Sequence, residues 1–524
     1  DHPLGEYPAR LHAARAFAHP STLPLLSVRF SLALLAALVV LLAAGPAGAQ
    51  ATATPARLTS EVDRILDARA FDDAYWGAYI VNLDSGEVLY DRNGVRRFIP
   101  ASNMKLLSTA AALDALGPSF RYQTRLYADG DIQGGTLQGN LVVRGAGDPT
   151  LGGRYADDDP RRTFRQWADS LRALGVRRIT GDVIGDDDIF DNVRLGQGWQ
   201  WDDLVWYYGA EISGLQFDEG TIHMRARGTT PGQPARVTVE PDYGYIQVVN
   251  RTTTTDGGRI REGYDRALSG NVFTLTSEVP AGETETEDVA VVNPTAYFVS
   301  TLVGVLEEAG IDVDGAPVDV DDWGRSPPYE ALRRVATHES PRLAEIIKQT
   351  NEDSNNVYAE HLLRTLGAYV YQGSEHPLGS AAAGVAAQAP FLERIGVDPE
   401  SFRVSDGSGL SALNRLTPAG IVGILRGMHQ HPSRPTRDAF YASLAVGGYT
   451  GTIRRRYRSG DARGNVRAKT GFITGARTLS GYVRSAAGDL IAFSLMCNNY
   501  TVPTSRVNRS QDEIVELLAD YEGR

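Results

Sequence analysis

The chain has 524 residues, 42% of them hydrophobic and 22% charged, which at roughly 100–200 residues per domain gives about two to four domains with substantial cores. Its 55 glycines and 26 prolines are too few and too scattered for a fibrous or largely disordered protein. A net charge of −12 sets the surface against phosphate backbones, so nucleic acid is not expected as a partner.

Residues 30–44 carry Ser31 as their only polar side chain, follow Arg29 and precede the small residues of 45–49. A basic flank, a short apolar core and a small-residue site predict a secretory signal over 29–49, with 1–28 an upstream segment and the mature chain beginning at Gln50. The apolar stretch falls short of the roughly 20 residues that cross a bilayer, and an uncleaved anchor is the alternative. Next come a helix over 59–70 and strands over 75–81 and 87–90, joined by a turn at Asp84-Ser85-Gly86. An Ala- and Leu-rich helix over 102–116 is stopped by Gly117-Pro118. From about residue 121 glycine, aspartate and threonine become frequent, and short β-like runs appear at 141–143, 221–226, 236–240, 245–249 and 272–276. Helical patterning returns at 295–309, then at 341–350 and 357–366. The C-terminal part reads as strands over 466–470, 478–483 and 490–497 and a helix over 511–521. The single cysteine, Cys497, lies in the last apolar strand and is expected to be buried and inert. The organisation expected is a helix–sheet–helix body, residues 50–120 and 288–524, interrupted by a β-rich insertion over 121–287.

The basic residues hold an anomaly. Of 52, 49 are arginine and only three are lysine: Lys105, Lys348 and Lys469. A genome rich in arginine codons explains the depletion but not the survivors. Arginine stays protonated, whereas a buried lysine can lose its proton and serve as a base.

Lys105 closes the motif Ser102-Asn103-Met104-Lys105, where a spacing of three places serine and lysine on one helical face, one turn apart. The positive end of the helix dipole favours an alkoxide at Ser102, and a neutral Lys105 could take its proton. Simple capping by Ser102 is the alternative. Ser354-Asn355-Asn356 stands between two predicted helices and could project a hydroxyl and an amide into a cleft, or merely cap a helix. Lys469-Thr470-Gly471 lies on a predicted strand, where a cation and a hydroxyl suit a carboxylate and Gly471 allows close approach to the backbone. Each motif is weak singly. Together, two of three lysines occupy the motifs whose chemistry requires lysine, one as a base and the other as a cation able to depress its pKa. Lys348 meets no such demand and reads as structural.

Ser-x-x-Lys, Ser-x-Asn and Lys-Thr-Gly in this order resemble the signature of penicillin-recognising serine enzymes. The stretches Pro100-Ala101-Ser102-Asn103-Met104-Lys105, Gly147-Asp148-Pro149-Thr150-Leu151 and Asp406-Gly407-Ser408-Gly409-Leu410-Ser411 extend the resemblance to D-alanyl-D-alanine carboxypeptidase/endopeptidases of the penicillin-binding protein 4 type. The gap of 252 positions between Ser102 and Ser354 is similar to that family, which carries inserted domains there. The resemblance implies an α+β fold: a β-lactamase/transpeptidase-like catalytic domain, antiparallel sheet flanked by helices, with the β-rich insertion. It implies Ser102 as the acylated nucleophile, Lys105 as its general base and Ser354 and Asn356 as the proton and substrate-amide network. Lys469 and Thr470 would line the carboxylate side beside Gly471. Backbone N–H groups of Ser102 and Phe472 would form an oxyanion hole. Phe472 stands where relatives more often have a small polar residue, which alters the expected subsite shape. An inserted acidic residue near the substrate stem is also implied; Asp186 is the matching position, with Asp187 and Asp188 beside it making a solvated acidic loop the alternative.

The implied activity is hydrolysis of D-alanyl-D-alanine termini or crosslinks of peptidoglycan stem peptides in an extracytoplasmic compartment, with β-lactams as covalent inhibitors. No cofactor or metal is called for: His429 and His431 are close in sequence only. A β-lactamase or esterase on the same domain, or an inactive wall-binding scaffold, are the other readings.

Overall fold

A computed structural model describes residues 55–523. The expected signal and upstream segment, residues 1–49, lie outside the described residues.

The first body is built on a six-stranded antiparallel sheet. Its strands run, in spatial order, Ala445–Val446, Arg467–Ile473, Ala476–Arg484, Leu490–Asn498, Tyr75–Asn82 and Val88–Arg92. Leu490–Asn498 is buried on both faces, which is why its sequence is apolar without alternation. Its side chains still obey the two-residue period of a strand. Leu490, Ala492 and Met496 enter one core, with the helices Met104–Leu116, Asn356–Tyr369 and Pro418–His429. Ile491, Phe493, Leu495 and Cys497 enter the other, with the helices Pro55–Leu66 and Thr504–Ala519. Met104–Leu116 is buried at every residue from Met104 to Leu113, so it presents no polar face and is wrapped on all sides.

The second body is a mixed seven-stranded sheet with three small sheets beside it. Gln123–Gln133 and Thr136–Arg144 form a hairpin over Gly134-Gly135, both with positive φ, as a tight primed turn requires. The helices Arg162–Ala173 and Pro294–Glu308 cover this sheet, placing Phe164, Trp167, Phe298 and Leu302 against Leu126, Leu141 and Val183.

One boundary differs from expectation. Residues 288–339, expected to rejoin the first body, pair and pack with the second. Arg333–Glu339 is an antiparallel neighbour of Gln123–Gln133, and Pro294–Glu308 fills the same core. The two crossings between the bodies lie side by side at Tyr122 and Ser340, where Tyr122 N donates to Ser340 Oγ (2.9 Å) and Ser340 N to Tyr122 O (3.1 Å).

Candidate active site

Ser102 sits in a single 3₁₀ turn, Ala101–Asn103, that runs straight into the buried helix Met104–Leu116. Four residues clamp this turn. Thr478 Oγ1 donates to Pro100 O (2.8 Å), and Asn103 Nδ2 to Ser480 Oγ (2.6 Å), tying it to strand Ala476–Arg484. Gly471 passes so close that a Cβ there would lie 2.7 Å from Pro100 O and 2.9 Å from Ser102 N. Gly409, with φ +86°, approaches from the other side; its Cβ would lie 1.9 Å from Ala101 O.

Lys105 follows one turn later and is wholly buried. Its Nζ has three partners: Ser102 Oγ at 3.0 Å, Asn356 Oδ1 at 2.6 Å and Ser408 O at 2.7 Å. Burial brings its pKa down to about 7, against the opposing pull of Asp406 and Glu360. Lys469 is equally buried, and its Nζ donates to Ser354 Oγ and Thr470 O, both at 2.8 Å. Burial first, then Lys105 and Arg477, holds its pKa well below the usual lysine range.

The turn between helices Leu343–Glu352 and Asn356–Tyr369 separates capping from chemistry. Asn355 is the cap, accepting from Tyr358 N at 3.0 Å. Ser354 and Asn356, on either side, are thereby left to face the two lysines. Ser354 holds a left-handed φ of +64°, a strained conformation for a residue with a Cβ, kept by its surroundings. Thr470 Oγ1 donates to Thr452 Oγ1 (2.8 Å), which extends the row of hydroxyls along this side. The short strand Ala445–Val446 pairs with Arg467 and Ala468, and Lys469 to Ile473 continue past it toward Ser102. Phe472 lies against the Arg477 guanidinium, 5.9 Å from ring centre to Cζ.

The fold therefore assembles Ser102, Lys105, Ser354, Asn356, Lys469, Thr470 and Gly471 around one point. Asp186 goes elsewhere. It pairs with Arg144 inside the second sheet, accepts from Asp188 N (3.0 Å) and from Tyr329 OH, and makes no hydrogen bond to those residues. Nor is this stretch a solvated acidic loop, since Asp186 and Asp187 are buried. Asp187 accepts from Ser213 Oγ and Thr295 Oγ1, and burial with the nearby Asp319 pushes it up to about 6. Among the described residues Asp187, Asp319 and Asp321 are the carboxylates close enough to share an ion. Asp319 is already met by Arg194 and Asn293 Nδ2, both at 2.9 Å. Lys348 pairs with Glu352 on its own helix, 3.9 Å away, as a structural residue would.

Sequence reasoning missed a strap, residues 191–209, that the second body lays along the first. Arg364 donates to Asp191 Oδ1 (3.1 Å) and Val193 O (2.6 Å), and Ser411 Oγ to Gln197 O (2.6 Å). Trp199 Nε1 donates to Asp406 Oδ2 (3.0 Å), and Asn356 Nδ2 to Tyr208 O (2.8 Å). Tyr208 OH in turn donates to Asp203 Oδ1 (3.1 Å). A signal was present: three of the six tryptophans, Trp199, Trp201 and Trp206, fall in this short stretch.

The Asp406–Ser411 and Gly147–Leu151 stretches act as scaffolding. Asp406 Oδ1 accepts from Gly409 N (2.8 Å), while Asp148 Oδ1 takes Thr150 N and Oγ1 (2.9 and 2.7 Å). His361, on the helix that begins at Asn356, contacts Gly147 O through Nδ1 at 2.9 Å.

Comparison with known proteins identifies the family. Residues 58–521 match the D-Ala-D-Ala carboxypeptidase 3 (S13) family. A D-alanyl-D-alanine carboxypeptidase of Actinomadura sp. (strain R39) is 33% identical over 93% of this chain and 89% of its own. D-alanyl-D-alanine carboxypeptidase DacB of Haemophilus influenzae is 26% identical over 80% of this chain and 84% of its own. Crystal structures of penicillin binding protein 4 from H. influenzae share the fold. One has a TM-score of 0.75 at 24% identity and covers 88% of this chain and 99% of that one. A second, complexed with a β-lactam, has a TM-score of 0.68 at 23% identity and covers 87% and 97%. With its α+β fold, three ordered motifs and near-complete coverage, the chain belongs to the D-Ala-D-Ala carboxypeptidase 3 (S13) family and is a serine-type DD-peptidase.

Proposed function

We propose that Ser102 is the nucleophile that opens the peptide bond before a terminal D-alanine and Lys105 is the base that activates it. The bonds of Lys105 carry this reading. A neutral amine has two N–H bonds and one lone pair. Asn356 Oδ1 and Ser408 O can only accept, so they occupy the two N–H bonds and leave the lone pair for the Ser102 proton.

In acylation Ser102 Oγ bonds to the carbonyl carbon and its proton passes to Lys105 Nζ. Negative charge gathers on the carbonyl oxygen, facing the N–H groups of Ser102 and Phe472. The C–N bond then breaks, and Ser354 Oγ, in contact with Lys469, delivers a proton to the departing amine and recovers one through the lysines. Water attacks the ester carbon and gives up a proton to Lys105, which returns it to Ser102 Oγ as the ester C–O bond breaks and the shortened peptide leaves. Lys469 and Thr470 hold the terminal carboxylate, and Asn356 the substrate amide.

The substrate class is the peptidoglycan stem peptide, with D-amino-acid crosslinks as a second substrate of the same chemistry. β-Lactams acylate Ser102 in its place, consistent with the β-lactam complex of the H. influenzae relative. An extracytoplasmic location rests on residues 29–49. No helix among the described residues is long and apolar enough to cross a membrane.

The test is intact-protein mass after labelled penicillin. The wild type gains one penicillin mass, and Ser102→Ala gains none. Lys105→Arg, which cannot give up its proton, loses acylation by about 100-fold or more. Near-normal acylation of Lys105→Arg sinks the base assignment. Rapid turnover of penicillin without a lasting adduct would favour a β-lactamase.

A further inference from the structure

Lys105 owes one of its two acceptors to a peptide group, and that peptide has a second end. The Ser408–Gly409 unit accepts from Lys105 through its carbonyl (2.7 Å) and donates through its N–H to Asp406 Oδ1 (2.8 Å). The two preceding amides are also held. Glu360 Oε1 takes Gly407 N at 3.0 Å and Ser408 N at 2.8 Å, while Oε2 takes a second branch from Gly407 N at 3.1 Å. Ser108 Oγ donates to Gly407 O (2.7 Å), which fixes the turn to the helix that carries Lys105. Glu360 and Asp406 are both almost completely buried.

Glu360 lies four residues after Asn356 on one helix, hence on the same face. That face thus meets Lys105 twice, directly through the Asn356 amide and indirectly through the Glu360-held turn. The charged groups around the pair are few. Glu360 is faced by Asp406 and Arg364, and Lys105 by Glu360, Asp406 and Lys469. Two carboxylates share a dry space with one guanidinium, and Glu360 is pushed up to about 7, by burial first and Asp406 second.

We propose that Glu360 and Asp406 are positioning residues for the base. From behind the 406–409 turn they hold its peptides so that Lys105 keeps its lone pair on Ser102, and their negative charge governs the protonation of Lys105. Neither touches substrate. The proposal rests on Lys105 acting as the base and deepens that reading: the base titrates together with the buried Glu360 carboxyl behind the turn. Such coupled groups share their protons rather than titrating singly.

Glu360→Gln separates charge from grip, because one amide oxygen can still take both N–H bonds now made by Oε1. The measurement is the rate of acylation by penicillin against pH. With the carboxylate gone Lys105 releases its proton more easily, so the acid limb moves to lower pH by half a unit or more. Glu360→Asp keeps the charge but falls short of the turn, so its limb stays in place while the rate drops tenfold or more. Superimposable limbs for wild type and Glu360→Gln, differing only by a constant factor, would overturn the proposal.

A second measurement needs no variant of Glu360 to fold. With only three lysines in the chain, ¹³Cε-lysine labelling gives three NMR signals, assigned with Lys348→Arg and Lys469→Arg. The Lys105 signal of the wild type should titrate in two steps, one from its own proton and one from Glu360. A single one-proton step overturns the coupling. Failure of the base reading itself shows separately, as retained acylation by Lys105→Arg.

Discussion

The backbone carbonyl of Tyr208 accepts from Asn356 Nδ2 at 2.8 Å, and this bond decides which end of the Asn356 amide meets Lys105. With the nitrogen committed to Tyr208, the oxygen is left to accept from Lys105 at 2.6 Å. Asn356→Asp would set a carboxylate oxygen against the Tyr208 carbonyl and an anion against the base, favouring its protonated form. Penicillin acylation at neutral pH should fall by about 100-fold and recover partly as pH rises. A loss equal at every pH would mean the amide matters for shape alone.

Buried lysine has a stability signature. Lys105 titrates near 7 in the folded protein and near 10.5 in the unfolded chain. Between those values the unfolded chain binds the extra proton, so this residue's contribution to stability rises with pH, by up to about 1.4 kcal/mol per unit. Below pH 7 the full cost of burying it is present and constant. Lys105→Met abolishes that slope. Denaturant midpoints from pH 7 to 10 should show the stability of Lys105→Met relative to wild type falling as pH rises, whatever the offset at pH 7.

Gly471 has no room for a side chain. An alanine Cβ would press on Pro100 O and Ser102 N, both backbone atoms that cannot swing aside. Moving Ser102 by a fraction of an ångström misaligns it with Lys105, so Gly471→Ala should lose about 100-fold in acylation. Gly475→Ala, where nothing lies within 4 Å of the new Cβ, is the control that should acylate normally despite its strained φ of +77°.

Cys497 is buried in the core beside the Pro55–Leu66 and Thr504–Ala519 helices, and burial pushes its thiol above the usual range. A thiol reagent should leave the native protein unlabelled and label it once in denaturant. Labelling of the native state by mass spectrometry would contradict the packing of that strand.

The catalytic cluster was legible because its chemistry needs particular side chains at particular spacings, and the scarcity of lysine made two of them conspicuous. Most strands and helices of the first body were legible too, since Tyr75–Asn82 and Leu490–Asn498 are strongly apolar. Gln123–Gln133 was not: its second half is polar and glycine-bearing, and its partner Arg333–Glu339 lies some 200 residues away. The strap over 191–209 was hidden for a different reason. It works largely through the carbonyls of Val193, Gln197 and Tyr208, which any residue supplies. Asp186 was placed near the substrate stem only by its position in the resemblance, and neither that nor the solvated-loop alternative shows that neighbouring hydroxyls take up the carboxylates of Asp186 and Asp187 within the second body.

The central sheet joins segments some 400 residues apart in the chain. Tyr75–Asn82 lies against Leu490–Asn498, and Ile99 N, three residues before Ser102, donates to Asn498 Oδ1 across 399 positions of sequence. A chain not yet extended through Asn498 leaves its first strand with Val88–Arg92 as neighbour on one side only and leaves Ile99 N without its Asn498 acceptor. The strand that flanks the serine turn is thus supplied by residues 490–498, so full hydrolytic activity is expected only after the chain has been made and delivered through that strand.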